Sequence, residues 1–222
     1  MLPPMSYIAE RRQEERARRR EEIVDAAESL YAETGWDSVT MDKVARRARL
    51  SRALLYVYFK DKGDLHLAIV ERALETLRER MEVAAASHAL GIEKLEAVGR
   101  AYIRLSEDLP HYFDACLRFQ ADSAEHTETD ERSCACSSAG LRVHETVVAA
   151  LRRGVEDGSI RSGLPDLDAT AVTAWAFMHG VIQIISTKAG QIEHQGTTVG
   201  AVTDQAFALF RRALQPGSEL DG

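Results

Sequence analysis

Cysteine, proline and aromatic residues are all scarce in this 222-residue chain, at three, five and 6%. Three cysteines, two of them in Cys134-Ala-Cys136, exclude a disulfide framework as the source of stability. Few prolines leave room for long helices. Long hydrophobic runs are missing as well. The most apolar stretch, Ala169–Ile185, is interrupted by Thr170, Thr173, His179 and Gln183 and falls short of the roughly 20 apolar residues of a membrane span. No basic segment leads into an apolar one at the start, where Met1–Ser6 runs into the charged stretch Glu10–Glu22. A cytoplasmic chain with no membrane association is expected. Neither a Gly-rich nucleotide loop nor an HExxH metal motif occurs, so no cofactor or metal is expected.

What is present is charge, unevenly distributed. The formal net charge is −7, yet residues 1–62 carry 13 Lys and Arg against 11 Asp and Glu. Between Ser38 and Lys62 seven basic residues face two acidic ones. The remainder of the chain is strongly acidic. One end is thus suited to a polyanion and the rest is not.

The hydrophobic pattern is helical throughout, with no run of strand alternation. Ile23, Ala26, Ala27, Leu30 and Tyr31 form one face of a first helix over Arg18–Thr34, stopped by Gly35. Thr40 stands as N-cap of a short second helix whose buried stripe is Val44, Ala45 and Ala48, and Ser51 caps a third, with Leu55 and Phe59 facing the core. Asp61, with Asp64 at the capping-box position, opens a long amphipathic helix to about Ser87. Further helices are expected at Ile92–Leu109, Pro110–Asp122, Ala139–Asp157, Asp166–Ala189 and Thr197–Leu214, with a polar, aperiodic loop over Glu125–Ser138. The expected organisation is a flexible basic arm (1–17), a helix-turn-helix domain (18–62), a helical ligand-binding and dimerisation domain (63–215) and a tail (216–222).

Three short capped helices with a tight link between the second and third describe a helix-turn-helix, although ordinary helical bundles use the same caps. The combination Ile23–Gly35, Thr40-Met-Asp-Lys-Val-Ala and Leu50-Ser-Arg-Ala-Leu-Leu-Tyr-Val-Tyr-Phe-Lys-Asp-Lys-Gly-Asp-Leu65 resembles the N-terminal domain of TetR-family transcriptional regulators. The resemblance covers about residues 18–70. It implies an all-α homodimer, with a small DNA-binding domain on a larger helical ligand-binding domain, acting as a repressor that leaves a pseudo-palindromic double-stranded DNA operator when a small-molecule inducer binds.

Carried onto this sequence, the resemblance places the recognition helix at Ser51–Tyr58, with Arg52, Ala53, Leu54 and Tyr56 nearest the bases. Arg52 could donate twice to guanine O6 and N7, and Ala53 and Leu54 could meet thymine methyls. Thr40, Tyr58 and Lys62 match phosphate-contacting positions, with Lys43, Arg46 and Arg49 adding charge nearby. Arg49 stands where the family usually has Gly, so a left-handed backbone there would strain it. Six arginines in Arg11–Arg20 suggest an arm for a minor groove, or simply a solvated helix start.

In the C-terminal half, the resemblance puts the dimer interface on Asp166–Ala189 and Thr197–Leu214. Tyr102, Leu105, Phe113, Cys116, Leu117, Phe119, Trp175, Met178 and His179 are candidates to line an inducer pocket, with core packing as the competing assignment for each. No cluster of Arg or Lys lies deep in these helices to catch an acid, which favours a neutral or cationic hydrophobic ligand. Cys134 and Cys136, in the expected loop beside Arg132, form a possible thiol or soft-metal sensor. An enzyme using Cys116 as nucleophile with His111 or His144 as base is disfavoured, because residues five apart do not share a helix face. A protein-binding adaptor on a lapsed DNA-binding domain would bind DNA only weakly and without sequence preference.

Overall fold

The computed structural model describes residues 4–121 and 131–217, and these form ten α-helices and a short 3-10 turn with no strand among them. The helices are α1 (Pro4–Thr34), α2 (Met41–Arg47), α3 (Arg52–Tyr58), α4 (Lys62–Ala86), α5 (Gly91–Asp108), α6 (Pro110–Ala121), α7 (Glu131–Asp157), α8 (Leu167–Thr187), α9 (Ala189–His194) and α10 (Val199–Leu214). The described residues divide into two compact units. One contains the described residues through Ala73 together with those between Leu109 and Cys136, and the other contains Leu74–Asp108 and the chain from Ser137 onward.

Local chemistry sets the helix ends in the first unit. Helix α1 stops at Gly35, whose φ of 74° is left-handed and whose N–H donates to the Tyr31 carbonyl at 2.9 Å. The Thr40 hydroxyl accepts from the Lys43 N–H, and the Ser51 hydroxyl from the Leu54 N–H at 3.2 Å, each cap contributing about 1 kcal/mol. At α4 the box is reciprocal: Asp61 accepts from the Asp64 N–H at 2.8 Å and Asp64 accepts from the Lys60 N–H at 2.7 Å. Helices α1, α2 and α3 pack on one another, and Ile23, Val44, Leu55, Phe59, Leu65 and Ile69 are completely buried. Ala48, expected in the buried stripe of the second helix, is half-buried, as is Leu50.

Helix α6 joins this unit through polar contacts. The Tyr31 hydroxyl donates to Asp114 at 2.6 Å, the Tyr112 hydroxyl to Glu28 at 2.8 Å, and Arg118 bridges Asp114 and Asp37. Glu28 also receives Arg72 of α4. Burial pushes the Glu28 carboxyl above its ordinary range, and Arg72 works against that shift.

In the second unit α5, α8 and α10 pack together around Leu105, Ile182 and Phe207. The start of α5 lies so close to α7 that a Cβ on Gly91 would fall 2.0 Å from the Gly154 nitrogen. The first N–H groups of α5 are satisfied across this contact, Gly91 donating to Asp157 at 2.9 Å and Ile92 to Ser159 at 3.1 Å. The Asp166 carboxylate caps α8 by accepting from Asp168 and Ala169.

Two expectations are corrected. Helix α1 begins at Pro4, so the expected arm is helical from there, because its Arg, Glu, Gln and Ala residues are strong helix formers. The expected loop ends early: α7 starts at Glu131, so residues 131–138 are helical, while 122–130 lie outside the described residues. Helix α8, at 21 residues, is long and apolar enough by length and composition alone to cross a membrane, a test that the core helix of a folded bundle also passes.

Candidate nucleic-acid interface

The α2–α3 pair presents its polar and basic side chains outward. Arg52, Ala53, Leu54 and Tyr56 of α3 are all exposed, as are Thr40, Lys43, Arg46, Arg49 and Ser51. Leu55, one position along, is completely buried and fixes which face of α3 is free. Val57, 62% exposed, lies one turn after Ala53 on that free face and was missed by the sequence reading. The i, i+4 spacing from Ala53 was the signal that could have found it.

Arg52 is preset rather than loose. Its guanidinium is 3.2 Å from Asp42 of α2 and lies over the Tyr56 ring, 5.6 Å from the centre. Hydrogen bonding to Tyr56 first, and the charge of Asp42 second, hold it firmly protonated. Arg49 in that turn has φ 57°, the one left-handed non-Gly residue among those described, as the family's usual Gly at this place implied.

The other basic groups differ in how free they are. Lys43 donates to the Ser38 carbonyl at 2.7 Å and Arg46 reaches the Asp42 carbonyl at 3.4 Å, both at the exposed surface. Arg47 is held by Glu33 in a two-pronged pair at 2.8 and 2.7 Å, which depresses the Glu33 carboxyl to about 2. Lys62 is turned inward. Its ammonium donates to the Trp36 carbonyl at 2.7 Å, and burial lowers its pKa. Tyr58 is half-buried at the end of α3.

Against this geometry, residues 23–69 match the model for bacterial regulatory proteins of the tetR family, and residues 95–215 match that for the tetracyclin repressor-like C-terminal domain. The chain belongs to the TetR family. BetI of Rhizobium meliloti (strain 1021), an HTH-type transcriptional regulator, is 32% identical over 110 residues, 50% of this chain and 54% of BetI. The match thus spans about half the length of that relative. Two solved structures share the fold at lower identity. PfmR of Thermus thermophilus, a TetR family transcriptional regulator, has TM-score 0.64 at 23% identity, over 86% of this chain and 97% of its own. FadR of Bacillus subtilis, in complex with stearoyl-CoA, has TM-score 0.63 at 20% identity, over 86% and 96%. Members of the TetR family are regulators, and the cysteine-enzyme alternative falls away with that membership.

The TetR-family fold redistributes the other predicted sites. Of the expected pocket residues, Tyr102, Leu105, Trp175, Met178 and His179 belong to the second unit, whereas Phe113, Cys116, Leu117 and Phe119 belong to the first. The second-unit set includes a linked trio. The Tyr102 hydroxyl and the His179 Nδ1 are 2.7 Å apart, and the Trp175 ring meets the His179 ring edge-on at 5.9 Å. Burial lowers the His179 pKa, so the neutral ring can accept the tyrosine proton.

The expected cysteine pair is not exposed in a loop. Both residues are in α7, where Cys134 is exposed and Cys136 is buried with its thiol donating to the Leu67 carbonyl at 3.1 Å. Positions two apart on a helix point to opposite sides, so this spacing separates the two sulfurs. Cys116 is surrounded by protein to the point that desolvation pushes its thiol up to about 12, far from the thiolate a sensor needs. Among the described residues no group of three or more His, Cys, Asp or Glu is placed to hold a metal.

Proposed function

We propose that this chain is a homodimeric transcriptional repressor that reads a pseudo-palindromic operator with α3 in the major groove and releases it when a small hydrophobic ligand binds its C-terminal unit. The observation that carries this is the free face of α3, where Arg52 is held in place by Asp42 and Tyr56 beside the exposed Ala53 and Val57. A guanidinium and small apolar groups on one short helix are the chemistry of base-edge readout.

Self-association is supported by α8 and α10. Val172, Trp175 and Ile184 on α8 and Leu209 on α10 are exposed apolar residues on two long helices, an area that a two-fold partner would cover. A hydrophobic ligand is supported by FadR, whose structure contains stearoyl-CoA. Ligand binding would act by favouring a dimer whose two recognition helices no longer match successive grooves.

The test is fluorescence anisotropy with DNA from the region upstream of the chain's own gene, against scrambled DNA at fixed salt. The expected result is saturable, sequence-dependent binding at two chains per site that Arg52→Ala weakens. Equal binding of both DNAs, or full affinity in the variant, would reject the reading.

A further inference from the structure

The second unit, in the acidic part of the chain, gathers four cations along a groove. An open groove of about 560 Å³ lies between the last turns of α4 and the C-terminal half of α7, with Lys94 of α5 in its lining. Four cations line it, Arg78, Lys94, Arg142 and Arg153, with the carboxylates Glu82 and Glu145, and Glu75 and Asp157 pair with three of the cations from beside it. Its size falls within the roughly 300–1,000 Å³ of small-molecule sites. The groove is separate from the Tyr102–His179 trio, which contributes nothing to its walls.

The floor is made of alanines. Ala85 and Ala86 of α4 and Ala149 and Ala150 of α7 are in its lining, so both helices offer methyl groups there. On α7 the cations stand at either end of this floor. Arg142 and Arg153 are eleven residues apart, three turns and the same face, about 16 Å along the axis.

These cations are only partly neutralised. Arg78 is committed to Glu75 at 2.5 Å and Glu82 at 2.6 Å. Arg142 shares that same Glu75 at 3.3 Å and is largely exposed. Arg153 touches Asp157 at 3.5 Å, while Asp157 also accepts from the Gly91 and Ser159 N–H groups. Lys94 spends one N–H on the Ala85 carbonyl at 2.9 Å and keeps two. An apolar lining between two guanidinium groups, whose carboxylate partners are each shared with other donors, complements an elongated molecule with an apolar body and an acidic end.

We propose that this groove binds an elongated amphipathic organic anion, its aliphatic part on the alanine floor and its acidic group on Arg142 or Arg153. This deepens the ligand-release reading by naming a site and a ligand class, and it favours an anion over the neutral or cationic ligand expected from sequence. Occupancy would fasten α4 to α7, and only three residues separate α4 from the end of the recognition helix.

Isothermal titration of the full chain with dodecanoate, and with dodecanol as the uncharged control, tests the proposal without DNA. Saturable dodecanoate binding is expected, weakened at least tenfold in Arg142→Gln/Arg153→Gln and in Ala149→Leu, with dodecanol binding at least tenfold more weakly than dodecanoate. Both variants change exposed side chains, and circular dichroism confirms that they fold. Absence of saturable dodecanoate binding, equal binding of dodecanol, or undiminished binding in Ala149→Leu would each overturn the proposal. If the titration succeeds while dodecanoate leaves operator binding unchanged, the groove stands and the ligand-release reading fails for this ligand class.

Discussion

The Lys62 ammonium lies 2.7 Å from the Trp36 carbonyl oxygen and 4.8 Å from the centre of the indole ring, so a residue matched to a phosphate contact is occupied inside its own domain. Lys62→Met should therefore lower stability by about 1 kcal/mol, from a lost hydrogen bond and cation–π contact, and leave the salt dependence of DNA binding unchanged. Arg46→Gln, at an exposed position, should instead reduce the slope of log K against log salt by about 1. Anisotropy titrations over a range of salt separate the two. An unchanged slope for Arg46→Gln would remove that residue from the interface.

Arg52→Ala and Tyr56→Ala should each weaken specific binding by about 1–3 kcal/mol, while Asp42→Asn should have a smaller effect because Tyr56 still orients the guanidinium. The side chains involved are exposed, so melting temperatures should shift by no more than a few degrees. A large loss of stability in Arg52→Ala would mean that the residue serves the fold rather than readout.

Arg49→Gly should stabilise the protein by about 0.5–1 kcal/mol. The φ of 57° strains a residue with a Cβ, and relief of that strain outweighs the extra chain entropy of glycine. Urea unfolding measures this directly. A destabilised variant would mean that the Arg49 side chain contributes more than its backbone costs.

Acid should destabilise the second unit through His179. Burial holds its pKa below the ordinary 6.5, so above that pH both folded and unfolded states carry a neutral ring and nothing is lost. As pH falls below 6.5 the unfolded chain takes up a proton that the folded ring resists, and stability decreases. His179→Gln should flatten that part of the stability profile, read as urea midpoints at several pH values. A profile of unchanged steepness would assign the acid sensitivity elsewhere, His111 being the next group held low by burial.

Gly91→Ala should cost at least about 3 kcal/mol, because the new methyl would meet the Gly154 backbone and not a side chain that can move away. Thermal unfolding would report it. A mild effect would show that α5 and α7 can separate without loss of the core.

The helix-turn-helix was legible in the sequence because its signals are local. Thr40, Ser51, Asp61 and Gly35 act on N–H and carbonyl groups within four residues, and all four do in the structure what their positions announced. The strain at Arg49 was legible for the same reason. The start of α7 was not, since the polar residues 131–138 carry no apolar period, and what holds that turn is Arg132 paired with Asp64 and the Cys136 thiol on Leu67.

The sequence by itself determined the all-helical class, the places where most helices begin and end, and the exposed face of α3, because capping and 3.6-residue periodicity are properties of neighbouring residues. Tertiary structure alone decided which cations are tied to partners outside the α2–α3 pair. Lys62 and Arg47 look like Arg46 and Arg52 in sequence, yet Trp36 and Glu33 claim the first two, and only the folded chain brings those partners within hydrogen-bonding distance. It likewise set Arg78 and Arg142, 64 positions apart, on one groove, because charge acts through space and not along the chain.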